Sequence, residues 1–213
     1  YKRQFYGRGV GAFGTAIGEI CFNTSMTGYQ EILTDPSYAE QIITFTFPHI
    51  GNVGTNNEDI ESLHPVAKGL VLRADISAPS NFRSAANLDH WLKEHGLVGI
   101  TGLDTRGITA RIRESGHPNG IIAYQPSDKI DVARLHKKAS RWGGLLGRDL
   151  ASSVTCSKPY TWSESLWTLE QGYKSLKNHI FHVVAIDYGI KRNFMRCLAA
   201  AGCRVTVVPA NTN

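Results

Sequence analysis

From Tyr1 to about Ser140, short apolar runs alternate with stretches that carry apolar residues at helical spacing. Five runs read as strands: Ala16–Thr24, Gln41–Phe47, Gly69–Ile76, Val98–Thr101 and Gly120–Tyr124. Val, Ile, Thr and Phe dominate several of them, and these residues suit a pleated, half-buried surface. The helical stretches carry their own start and stop signals. Thr27-Gly28-Tyr29-Gln30 fits a capping box, with the Gln30 side chain reaching back to the Thr27 amide. That helix must end before Pro36, which biases Asp35 away from helical backbone. Asn87 caps LDHWLKEH, setting Leu88, Trp91 and Leu92 on one face before Gly96. Asp104 caps TRGITARIRES, with Leu103 and Ile108 at the spacing of a hydrophobic staple and Gly116 as the stop. Ser127 is placed to cap DKIDVARLHKKA.

The pattern changes after Arg141. The stretch to about Asn178 is rich in Gly, Ser and Trp and weakly periodic, although Trp142, Trp162 and Trp167 argue against disorder. It reads as a connector packed onto a neighbouring surface. At His182 strong periodicity returns. HVVAIDYG is an apolar strand closing on Asp187. IKRNFMRCLAAAG sets Ile190, Phe194, Cys197, Leu198 and Ala201 at helical spacing, and CRVTVVP is a second strand. This predicts a βαβ unit with parallel strands. One such unit cannot cover both faces of a parallel sheet, so further βα units are expected beyond Asn213, and the chain reads as a fragment. The predicted layout is a domain over residues 1–140, a connector over 141–180, and the start of a second, truncated domain over 181–213.

Composition narrows the class. At 42% hydrophobic and 19% charged residues, the chain suits a globular domain rather than a disordered one. No run of eighteen apolar residues marks a transmembrane helix, and the N-terminal YKRQFYGRG lacks a signal-peptide core. The net charge of +5 is mild. The basic clusters, Arg106, Arg111 and Arg113, then Arg134, Lys137, Lys138 and Arg141, read as solvated helix faces and lack the interleaved aromatics of a nucleic-acid groove. Four scattered cysteines without a CxxC indicate a reducing compartment, hence a cytoplasmic protein. The eight histidines form no HExxH and no zinc-ligand spacing, so no metal site is expected.

Several short motifs need weighing. Gly9–Gly14 spells GxGxxG, but polar residues precede it and a strand-like run comes after it, the opposite of a dinucleotide fingerprint; a glycine-rich turn or hairpin fits better. None of Cys21, Cys156, Cys197 and Cys203 sits on a strand-to-helix turn that would expose a thiolate. Ser37, after Pro36, reads as a local turn former or as a donor to a ligand carboxylate. His49 opens a glycine-containing loop with no assignable acid partner. Asp187 ends a strand where α/β proteins bind ligands, or caps the next helix.

Longer runs are more specific. GEICFNTSMTGYQEILTDPSYAEQIITFTFPHIGNVGTN, SNFR at Ser80–Arg83, GLDTRGITARIRESG, LLGRDLASSV, WSESLWTL and HVVAIDYGIKRNFMRCLAAAGCRVTVVPANT occur in this order. On them the chain resembles, over essentially its whole length, the small, glutamine-hydrolysing subunit of carbamoyl-phosphate synthase in its bacterial form. The resemblance implies an α/β fold. A swivelling β/β/α N-terminal domain is followed by the first βαβ of a flavodoxin-like class I glutamine amidotransferase domain. It implies hydrolysis of glutamine by a Cys-His-Glu triad, through a thioester, with ammonia passed to a large subunit. That partner uses ATP and Mg2+ with bicarbonate to make carbamoyl phosphate for arginine and pyrimidines, in a heterodimer. The family nucleophile lies in a G-x-C-x-G turn, and none occurs here, so no catalytic residue carries over. The substrate contact that does carry over is Ser37, the serine of TDPSY, which in the family reaches the bound glutamine. The alternative from another class is a stand-alone interaction module without glutaminase activity.

Overall fold

The computed structural model describes residues 3–126 and 130–213. The chain divides into two compact units, Tyr1–Leu146 and Gly147–Asn213.

The first unit is built on a six-stranded sheet. Its elements are β1 (Arg8–Gly11), β2 (Gly14–Asn23), α1 (Tyr29–Thr34), a 3-10 turn (Pro36–Tyr38), β3 (Gln41–Phe45), β4 (Gly69–Val71), α2 (Leu88–Glu94), β5 (Val98–Thr101), α3 (Thr105–Ser115), β6 (Asn119–Tyr124) and α4 (Val132–Arg141). The strand order is β1-β5-β4-β3-β2-β6. The four inner strands run parallel, and β1 and β6 close the ends antiparallel. All five predicted strands are present, but the Gly69–Ile76 run is cut to three residues. After Val71 the chain still tracks its neighbour, with the Leu72 amide donating to the Ile100 carbonyl at 2.8 Å, and then turns away.

The sheet buries both faces, and the side-chain alternation of β3 shows how. Ile42 faces a cluster with Ala16, Val71, Val98, Leu103 and Ile122. Ile43 and Phe45 face a larger cluster in which Tyr29 and Leu33 of α1 meet Leu88, Trp91 and Leu92 of α2. The sheet curls so that its two ends approach. A Cβ on Gly9 of β1 would lie 2.0 Å from the Tyr124 ring of β6, so only glycine allows this approach. Phe13 packs on the same ring, with centroids 4.5 Å apart. The Gly9–Gly14 motif is therefore a glycine-rich bend between two strands of one sheet, with β1 pairing to β5 and β2 to β3 and β6.

The helix caps mostly agree with the sequence. The Asn87 side chain accepts from the Asp89 amide, and Asp104 accepts from the Gly107 amide. The α1 start is a correction. Gly28, with φ 77°, occupies the cap position, and no side chain caps the helix. Gln30 does not reach back to Thr27. It is buried, its Nε2 donates to the Asn56 carbonyl at 2.5 Å, and its Oε1 accepts from the Asn56 amide at 3.0 Å. Two backbone bonds in a buried setting outweigh one at an exposed helix end. The predicted cap Ser127 lies outside the described residues; Asp131 accepts from the Arg134 amide at 2.9 Å and caps α4.

The second unit contains α5 (Ala151–Val154), β7 (Tyr160–Trp162), β8 (Glu164–Thr168), β9 (Gly172–Ser175), β10 (Phe181–Asp187), α6 (Arg192–Ala200) and β11 (Cys203–Pro209). The predicted βαβ is present, with β10 and β11 parallel and in register from Phe181↔Cys203 to Asp187↔Pro209. β7 adds antiparallel to β11, and β8 and β9 form a hairpin. The face of α6 differs from expectation. Met195, Arg196 and Ala199 are buried, whereas Phe194 is 59% exposed and Cys197 is exposed. The β8–β9 hairpin receives Arg196. Its Nε donates to Glu164 Oε1 at 2.8 Å, and its guanidinium lies 3.6 Å from the Tyr173 ring centroid. No described helix is long and apolar enough to cross a membrane.

Candidate functional site

The turn between α1 and β3 holds the predicted contact residue. Pro36 ends α1 by removing an amide donor and fixing its own φ. The chain then makes one 3-10 turn over Pro36–Tyr38. Asp35 caps it. Its Oδ1 accepts from the Ser37 amide at 2.9 Å, its carbonyl accepts from the Tyr38 amide at 3.0 Å, and the Ala39 amide donates to the Pro36 carbonyl at 3.1 Å. Asp35 is 8% exposed, while Ser37 is exposed on the outer side of the turn. Among the described residues, no hydrogen bond engages the Ser37 hydroxyl. It is free to donate to a carboxylate or carbonyl and to accept from an amide. Among the described residues, no histidine or carboxylate is hydrogen-bonded to it, so the arrangement suits binding rather than nucleophilic attack.

The turn is held from behind. The Thr34 hydroxyl donates to the Gln30 carbonyl at 2.9 Å and accepts from the Glu61 amide at 2.9 Å, and Ser62 Oγ lies 2.6 Å from the Thr34 carbonyl. The Tyr38 hydroxyl accepts from Asn23 Nδ2 at 3.0 Å, tying the turn to the end of β2. Downstream, Glu40 takes φ 62°, unusual for a residue with a Cβ. Its carbonyl accepts from the Glu19 amide at 3.1 Å, and its carboxylate meets Lys68 Nζ at 2.6 Å.

Beside the turn lies a group of charges that the sequence did not single out. Arg83, of the SNFR motif, bonds to Glu58 at 3.0 Å and Asp59 at 2.7 Å, and Asn56 Nδ2 donates to Asp59 at 2.8 Å. Glu31 on α1 neighbours this group. Burial pushes its carboxyl up from 4.5 to about 7; Asp59 and Glu61 add to the rise, and Arg83 opposes it. Its sequence signal was slight, a glutamate three residues after the residue that turns out to be the cap.

The other predicted residues are not gathered here. His49 is exposed, with its ring edge-on to Phe47 at 5.9 Å. Asp187 is buried and fully occupied. Its carboxylate accepts from the amides of Cys156 at 2.7 Å, Gly189 at 2.9 Å and Ile190 at 2.8 Å, so it organises the loop after β10. The Cys21 thiol is pushed to about 12 by burial and then by Glu19, far from a thiolate at neutral pH. Cys156 is raised by burial and by Asp187. Cys203 is buried, and Cys197 lies on the exposed side of α6 beside Ile186, Tyr188 and Phe194. Among the described residues, no group of three or more His, Cys, Asp or Glu is placed to hold a metal ion.

Comparison with known proteins fixes the relationship. Residues 2–122 match the family described as carbamoyl-phosphate synthase small chain, CPSase domain. A protein of Mesorhizobium japonicum named carbamoyl phosphate synthase small chain is 55% identical over 210 residues, covering 97% of this chain and 53% of its own length. The similarly named protein of Rhizobium meliloti is 54% identical over 213 residues, and that of Zymomonas mobilis is 50% identical over 212 residues. The chain thus spans about half the length of these relatives. The Ser37 turn lies inside the matched family region. On these grounds the chain belongs to the carbamoyl-phosphate synthase small-chain family.

Proposed function

We propose that this chain is part of a cytoplasmic glutaminase subunit that supplies ammonia to a large chain for carbamoyl phosphate synthesis, and that Ser37 contacts the glutamine substrate. The family relationship supports the general role, and the name "small chain" carried by its relatives supports a large partner. The observation that carries the residue assignment is the Ser37 hydroxyl itself. It is exposed and unengaged, yet it stands on a turn fixed by hydrogen bonds on both sides. A side chain held out this way enters a contact with little further ordering cost. In this reading ATP and Mg2+ serve the large chain, and no residue of this chain is assigned to them.

The test uses the full-length small chain assembled with its large partner, with carbamoyl phosphate formation measured from glutamine and from free ammonia. Ser37→Ala removes one hydrogen bond to the substrate, worth about 1.5–3 kcal/mol where the acceptor is charged. Glutamine-dependent kcat/KM should fall by roughly tenfold to hundredfold, while ammonia-dependent synthesis stays nearly intact. Equal loss of both activities assigns Ser37 a structural role and sinks the proposal. Unchanged glutamine use sinks it as well.

A further inference from the structure

We propose that Asp35 is a positioning residue for Ser37: its carboxylate sets where the serine hydroxyl stands, without touching substrate. The inference rests on the Ser37 reading above and goes one layer beneath it. The 3-10 turn is three residues long and has little intrinsic stability. Its first amides have no partner within the turn. The Ser37 amide donates to Asp35 Oδ1 at 2.9 Å, and the carboxylate is an ionic acceptor, which makes this a strong bond of its type. Asp35 is buried while Ser37 is exposed.

The flanks leave residue 37 as the adjustable point. Pro36 fixes its own φ on one side. On the other, Tyr38 is tied to Asn23, and Glu40 is held with φ 62° by the Glu19 amide and Lys68. Between these anchors, the carboxylate of Asp35 is the side chain seen to engage the backbone of residue 37. If that acceptor is lost, the peptide before Ser37 keeps only the Ala39 amide on the Pro36 carbonyl, so it loosens and the hydroxyl leaves its fixed direction while the sheet beneath stays intact. A misplacement of that kind weakens substrate binding without altering chemistry elsewhere.

The experiment compares Asp35→Ala, Asp35→Asn, Ser37→Ala and the Asp35→Ala/Ser37→Ala double variant in the same assembled enzyme. Asp35→Ala should raise KM for glutamine roughly tenfold and leave ammonia-dependent synthesis unchanged. Asp35→Asn keeps an acceptor oxygen in place and should recover most of the loss. The double variant should match Ser37→Ala alone, because a misplaced hydroxyl and a missing one are equivalent. If Ser37→Ala impairs glutamine use but Asp35→Ala does not, or if the two losses multiply, the positioning role is refuted while the Ser37 contact stands. If Ser37→Ala has no effect, both fall. Amide hydrogen exchange gives an independent readout on this chain. In Asp35→Ala, exchange at Ser37 should speed up roughly tenfold while Ile43 and Phe45 in β3 keep their protection. An unchanged Ser37 rate, or loss of protection in β3 as well, overturns the proposal.

Discussion

Glu31→Gln should stabilise the first unit, by an amount that grows as pH rises above about 4.5 and is complete above about 7. The Glu31 carboxyl is held at about 7 in the folded chain, against an ordinary 4.5, because burial disfavours its charge and Asp59 and Glu61 repel it. Between these two values the folded chain keeps a proton that the unfolded chain has released. Stability from this group is therefore complete below pH 4.5, declines as pH rises to 7, and is flat above that. The full difference corresponds to about 3 kcal/mol, and the side chain's partial contact with water reduces it to about 1–3 kcal/mol. Glutamine has nearly the shape of the protonated acid and no charge to lose. The variant should match the parent near pH 4.5 and exceed it by about 1–3 kcal/mol at pH 8. Native-state hydrogen exchange at Ile43 and Phe45, corrected for intrinsic rates at each pH, reports this unit without interference from the other. Titrating groups that do not interact with Glu31 cancel in the difference between the two proteins. A difference that is the same at pH 5 and pH 8 would refute the reasoning, as would a variant less stable at pH 8. Either result would mean that the Glu31 carboxylate is solvated or paired well enough to ionise normally.

Other expectations rest on single contacts. Asn87→Ala removes the acceptor for the Asp89 amide at the start of α2 and should cost about 1 kcal/mol by denaturant unfolding, with Asn87→Ser close to neutral. Gly9→Ala forces a Cβ into the Tyr124 ring and should cost at least about 1–3 kcal/mol. Pairing it with Tyr124→Ala should recover part of that loss in the same assay. Arg196→Ala strands Glu164 and removes the cation stacked on Tyr173. It should cost about 2–4 kcal/mol, and Arg196→Lys should recover little, because an ammonium cannot stack as a guanidinium does. At pH 7.5 an alkylating thiol reagent should modify exposed Cys197 well before Cys21, whose thiol is held at about 12.

What the sequence revealed depended on whether the signal was local. The strands and the caps at Asn87 and Asp104 are local matters of alternation and a side chain reaching the next turn, and they stand where predicted. The TDPSY turn was legible for the same reason, since Pro36 must end the helix and biases Asp35 away from helical backbone. The failures came where a distant partner competed. Gln30 looks like a capping residue until Asn56, far along the chain, offers it both a donor and an acceptor in a buried place. Arg196 reads as the polar side of α6 until Glu164 and Tyr173 present it with an acceptor and a ring. Phe194 and Cys197, which spacing groups with the apolar face, are exposed. Glu31 is the same case seen through its charge. Nothing in its neighbouring sequence marks a carboxyl raised to about 7, because burial and the residues around positions 59, 61 and 83 set that value. The Ser37 site divides along this line. Asp35 and Pro36 shape the turn locally and could be read from the chain, whereas Asn23, Lys68 and Glu19 fix its orientation from other strands and loops. Substitutions in the second group should therefore disturb the turn only to the extent that they loosen the sheet. Substitution of Asp35 should disturb the turn and leave the sheet alone.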